Sequence, residues 1–147
     1  MSVRGPVLAL DFGTQRIGLA VSDAAAEFAF PLAELECRDE KRDREAICAL
    51  AAERGVVQLV VGLPLHMDGH AGPEAEAARS FAQALGAATG LPVELLDERW
   101  TTREARRALR DVQPRRRKRE RARVDSAAAS LLLRTFLDRA RHAGGCE

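Results

Sequence analysis

The sequence has no tyrosine, one tryptophan and five phenylalanines, 4% aromatic in all. A surface that stacks successive bases needs several aromatic rings, so recognition of the RNA-recognition-motif kind is not expected. Trp100 is the one indole to weigh, as a stacking partner for a splayed base or as a core residue. Cysteine is scarce as well. Cys37, Cys48 and Cys146 are odd in number and include no Cys-x-x-Cys pair, which indicates neither a disulfide framework nor a zinc site. No apolar run approaches the roughly 20 residues that span a bilayer. The first apolar stretch is broken at Asp11, unlike that of a signal peptide. A cytoplasmic protein with reduced thiols and no membrane partner is expected. At 147 residues, one compact domain covering residues 1–147 is expected, with no second core of comparable size.

Charge is abundant and unevenly placed. Of all residues 31% are charged and the net charge is only +1. Met1 to Glu98 carries 8 Lys and Arg against 16 Asp and Glu, a net −8, whereas Arg99 to His142 carries 15 against 5, a net +10. Glu147 restores the total. A basic carboxyl-terminal third beside an acidic remainder is the footprint of a protein that meets a polyanion such as nucleic acid. The densest part, Arg115, Arg116, Arg117, Lys118 and Arg119 with Arg121 and Arg123, reads as an arm for a phosphate backbone, the alternative being a solvated loop.

The hydrophobic pattern reads as strands first and helices later. Val7 to Asp11 and Arg16 to Ser22 have the apolar content of paired strands around a Gly13-Thr14-Gln15 turn, and Phe28 to Glu36 is a third strand. Pro31 places that strand at an edge or a bulge. Asp39 to Arg54 is an amphipathic helix closed by Gly55, and Val56 to Pro64 is an apolar run suited to a strand covered on both faces. Pro73 to Thr89 is a helix ended by Gly90, with Ala78, Phe81, Ala82 and Leu85 on one side. A strand in "LPVELLDE", a short helix over Thr101 to Arg110 and a final helix from about Val124 to Arg141, with Leu131, Leu132 and Phe136 inward, complete the order. A meander followed by alternating units implies an α/β domain with a mixed sheet. Gly62, Gly69 and Gly72 read as turn residues, since no Gly-Lys-Ser/Thr follows them. His66, Asp68 and His70 fall on the same loop, where a spacing of four does not bring two imidazoles together.

Three acids sit where such a sheet can gather them: Asp11 at the end of the first strand, Glu98 just past "VELLD", and Asp125 opening the last helix. At 100° per residue, Asp125 lies within about 20° of Leu132 and Phe136, so it faces the sheet. Clustered carboxylates repel one another unless a cation lies between them. Each acid also has a plainer use: Asp125 as a helix cap, Asp11 as a turn residue, Glu98 as a partner for Arg99 or Arg103.

The stretches "LDFGTQRIGLAVSD", "VVGLPLHMDG", "DERWTTREA" and "VDSAAASLLLRTFLD" together resemble the YqgF/RuvX family, bacterial proteins described as pre-16S rRNA nucleases or Holliday junction resolvase homologues. The four occur in the family's order between Leu8 and Asp138. The resemblance implies a ribonuclease-H-like fold and identifies Asp11, Glu98 and Asp125 as the family's active-site acids. Two departures bear on substrate contacts: His66 stands where the family more often has Asn, and Trp100 where an aliphatic residue is more usual.

On that reading the chain is a hydrolase. Phosphodiester hydrolysis is served by two hard cations about 3.5 to 4 Å apart, and carboxylate ligands suit Mg²⁺ or Mn²⁺. Asp11 would be shared between the ions, with Glu98 and Asp125 completing one each. Thr14, Arg16, Arg99 and Thr102 are candidate contacts to the nucleic-acid backbone; Arg16 equally suits a structural ion pair, and the Thr101-Thr102 pair a helix cap. The substrate would be structured RNA such as pre-16S rRNA, or branched DNA, and junction cleavage would call for a homodimer. Two other readings stand beside this one. "DFGT" also resembles the phosphate loop of sugar kinases and actin-like ATPases, which close two domains on a nucleotide where this chain has one. A binding module without catalysis would keep the basic arm but has no use for clustered acids.

Overall fold

The computed structural model describes residues 5–12, 15–64, 72–97 and 128–140. The chain opens with β1 (Val7–Phe12), β2 (Arg16–Ser22) and β3 (Ala29–Glu36). There follow α1 (Glu40–Glu53), β4 (Gln58–Leu63), α2 (Pro73–Thr89) and β5 (Val93–Asp97), and residues 128–140 form a further helix, α3. The strands make one sheet in the order β3-β2-β1-β4-β5. β1, β2 and β3 pair antiparallel, while β1, β4 and β5 run parallel. This is the mixed α/β sheet expected from the meander and the alternating units.

Local chemistry sets the boundaries. β3 is an edge strand, which accommodates Pro31 opposite Ala20, and its register with β2 shifts between Ile17 and Leu19. At the start of α1, Asp39 Oδ1 accepts from the Arg42 amide at 2.8 Å, and the buried Asp43 reaches back to accept from the Arg38 amide at 3.0 Å. α2 begins with Pro73 after Gly72 and ends at Gly90, whose φ of 71° lies in the left-handed region. Gly62 is not a turn residue: it lies inside β4, opposite Leu96 on β5. Gly72 precedes α2, and Gly69 and the Thr101 to Arg110 helix lie outside the described residues.

Strand alternation divides the core in two. Leu8 and Leu10 of β1, with Ile17, Leu19, Leu59 and Val61, pack against Ile47 and Ala51 of α1 and Ala78, Phe81, Ala82 and Leu85 of α2. Val7, Ala9, Ala20, Val60 and Leu96 face the other way and meet Ala129, Leu132, Leu133, Phe136 and Leu137 of α3. The inward stripe of α3 therefore includes Leu133 and Leu137, which the sequence reading did not place there. Leu131, expected inward, is only half-buried. A broad sheet face takes two adjacent rows of a helix, and Leu131 lies far round from their centre.

A polar clasp holds the loop after β2. The Val7 amide donates to the buried Ser22 Oγ at 2.8 Å, and the Glu27 and Phe28 amides donate to Asp23 Oδ1 at 2.8 and 3.0 Å. The loop so closed includes Ala26 at a φ of 56°. The Phe28 amide, followed by that of Glu27, holds the Asp23 carboxyl below the ordinary aspartate range. A depressed carboxylate stabilises the fold above its unfolded-state pKa, and that contribution disappears as pH falls through the folded value. Asp23→Ala is accordingly expected to melt below wild type at neutral pH. The gap narrows on acidification below about pH 4, which thermal melts of both proteins across the acid range would measure.

Candidate active site

Asp11 sits one residue before the end of β1, half-buried, at the carboxyl-terminal edge of the parallel strands. β1 has the antiparallel hairpin strand on one side and the crossover strand β4 on the other. The connection thus reverses direction at β1, and in open α/β sheets such a switch point, at the carboxyl ends of the strands, is where ligands bind. On the opposite face the next residue, Phe12, meets Phe81 of α2 edge to face, with ring centroids 5.0 Å apart. That contact anchors the strand end and limits the freedom of the carboxylate beside it.

Register assigns the face of Asp11 without ambiguity. Its partner across the hairpin is Gly18; Ala9 pairs with Ala20 and with Val60, and all three pack toward α3. Asp11, two residues beyond Ala9, shares that face. Leu10, Val61 and Leu95 form one row across β1, β4 and β5, and Gly62 and Leu96 pair in the next. Leu96 and Ala129 both pack on the α3 side. Glu98 is two residues beyond Leu96, and Asp125 is four before Ala129.

Glu98 and Asp125 themselves lie outside the described residues, as do Thr14, Arg99, Thr102, Arg115 to Arg119, Arg121, Arg123, His66, Asp68, His70 and Trp100. Among the described residues no three acidic, histidine or cysteine side chains gather. Arg16 is described, and its Nη1 donates to Glu34 Oε1 at 3.3 Å, with the Glu34 side chain only 7% exposed. This bond ties β2 to β3 and is the structural ion pair that was one of its two expected roles. Cys37 and Cys48 pack against the core on the α1 and α2 side. Among the described residues, then, the face of Asp11 carries carboxylate oxygen and no thiol, a donor chemistry that fits a hard divalent cation.

Residues 5–139 match the sequence profile of the RuvX family, described as Holliday junction resolvase. The chain belongs to this family, a family of nucleases. A relative from Chloroflexus aurantiacus, named "Putative pre-16S rRNA nuclease", is 44% identical over 134 residues, which cover 90% of this chain and 86% of the relative. A protein of the same name from Anaeromyxobacter is 46% identical over 136 residues, covering 92% and 98%. Among solved structures, Thermus thermophilus RuvC aligns with a TM-score of 0.55 at 14% identity, over 86% of this chain and 92% of that one. RuvC from the same organism in complex with a Holliday junction substrate gives a TM-score of 0.54 at 14% identity, covering 88% and 92%. At that identity the likeness concerns the fold, and it makes the sheet ribonuclease-H-like as the sequence motifs implied. Beside Asp11 the register places Gly18, which the sequence analysis does not single out, and Gly62, which it reads as a turn residue. Their signal was available, since glycine inside a strand pattern marks a close approach.

Proposed function

We propose that the chain is a divalent-metal-dependent endonuclease that hydrolyses phosphodiester bonds at the 5′ end of pre-16S rRNA, in the cytoplasm. The observation that carries this reading is the placement of Asp11 at the carboxyl-terminal switch point of the sheet, in a chain 44% identical to a relative with the corresponding name. Asp11, Glu98 and Asp125 are the residues that would hold Mg²⁺ or Mn²⁺. Such ions, when bound, activate water and relieve charge on the phosphate. Asp11 contributes a carboxylate on a strand braced from both sides. Glu98 and Asp125 are assigned by the family motifs that carry them, "DERWTTREA" and "VDSAAASLLLRTFLD"; in the sequence they stand two residues after Leu96 and four before Ala129, both of which pack on the face of Asp11. Thr14, Arg99 and Thr102 are assigned to the sugar–phosphate backbone, and Arg115 to Arg119 with Arg121 and Arg123 to long-range attraction of it.

The family description favours a second reading, cleavage of four-way DNA junctions, for which a homodimer would supply paired sites. One experiment separates them. A 5′-extended 16S precursor fragment and a four-way DNA junction are incubated with the protein in Mg²⁺ or Mn²⁺, and products are mapped. Cleavage of the RNA at the mature end with an intact junction is the expected result. Symmetric nicking of the junction with untouched RNA would replace the first reading by the second.

A further inference from the structure

Glycine is a poor strand residue, because it costs backbone entropy and offers nothing to pack. Yet Asp11 is flanked by glycine on both neighbouring strands. Gly18 of β2 is its direct partner, and Gly62 of β4 occupies the next row after the Leu10–Val61 pair. Parity puts both on the α3 face: Gly18 is two residues from Ala20, and Gly62 is two from Val60 and opposite Leu96. Both glycines are buried. The row thus reads Gly18, Asp11, Gly62, Leu96, so the two strands that flank β1 contribute no side chain of their own beside Asp11.

The spacing of the sheet gives this bareness a use. β1 and β5 are separated by β4, and two strand intervals amount to about 10 Å. A carboxylate on β1 and one following β5 can share a ligand only if the strand between them leaves its face clear, and Gly62 is the residue at that place. We propose that Gly62, with Gly18 on the far side, is a positioning residue of the nuclease centre, keeping strand side chains out of the space across β4 so that a phosphodiester and its cation can reach Asp11 there. This rests on the nuclease reading above. The competing use of two buried glycines is close packing by the chain itself, with no ligand involved.

Gly18→Ala, Gly62→Ala and Gly62→Val separate the two uses when set beside wild type and Asp11→Asn. Three quantities are measured on each: Tm without metal, Mn²⁺ affinity from the electron spin resonance of the free ion, and single-turnover cleavage of the precursor fragment. If that space is kept for ligands, Tm is unchanged or raised, since alanine and valine are better strand residues than glycine. Mn²⁺ affinity and cleavage then fall about tenfold or more for Gly62→Ala, and further for Gly62→Val. A lowered Tm with wild-type Mn²⁺ affinity in Gly62→Ala would assign the glycine to packing and overturn the positioning role. The Asp11→Asn protein keeps the two levels apart. If it binds Mn²⁺ and cleaves as wild type does, the nuclease centre is misplaced; if it alone loses both while the glycine variants retain them, only the positioning role is wrong.

Discussion

Asp11→Asn is expected to abolish precursor cleavage, by about 10³-fold or more in the single-turnover rate constant, equivalent to about 4 kcal/mol of barrier. The substitution exchanges one carboxylate oxygen for an amide at almost constant volume. β1 keeps its pairing with β2 and β4, and Phe12 keeps its contact with Phe81. The fold is therefore retained, and melting within a few degrees of wild type is expected. What disappears is a negative charge at a place where hard-cation ligands must be anionic. Affinity for uncleaved nucleic acid, measured without divalent metal, should hold or improve, because a charge that repels phosphate has gone. Undiminished cleavage by the Asn protein would remove Asp11 from the chemistry.

Replacing Arg115, Arg116, Arg117, Lys118 and Arg119 together by glutamine acts on the other half of the problem. If each cation neutralises one phosphate, the slope of log affinity against log salt becomes shallower by about 3.5 on single strands and about 4.5 on duplex. Affinity at moderate ionic strength falls about 10²-fold, and the loss is nearly the same for unrelated sequences. The rate constant at saturating nucleic acid stays close to wild type, because these side chains are assigned to attraction and not to the reacting phosphate. Fluorescence anisotropy across a salt series reads the slope and the affinity, and single-turnover cleavage reads the rate constant. An unchanged slope would make the run a solvated segment. Together the two variants divide chemistry from binding: one loses rate at constant affinity, the other affinity at constant rate.

Legibility in the sequence followed the physics of each element. Pro73 and Gly90 mark the limits of α2, because one lacks an amide the first turn does not need and the other takes a left-handed conformation. Pro31 announced an edge strand for a similar reason. Asp11 stands out in the sequence because a charged residue closing an apolar strand needs an explanation. Less was readable where the outcome depends on a partner element. The inward stripe of α3 is defined by the sheet face it covers, so Leu133 and Leu137 could not be distinguished from Leu131 by periodicity in a leucine-rich run. The missing Gly-Lys-Ser/Thr argues against a phosphate cradle at Gly62 but does not make it a turn residue. The apolar run Val56 to Pro64 already contains it, and the register with Leu96 fixes its place in the strand. Arg16 offered two roles, and its cross-strand distance to Glu34 favours the pair.

The division of the core between two faces also has a consequence for synthesis. The α1 and α2 side is built from residues between Leu8 and Leu95, whereas the Asp11 side waits for Ala129 to Leu137. A chain still emerging from the ribosome at about 5–20 residues per second can cover the first face while Val7, Ala9, Val60 and Leu96 remain without their helix. The side that carries Asp11 is thus the last to close, because the helix that covers it is synthesised only after every strand of the sheet.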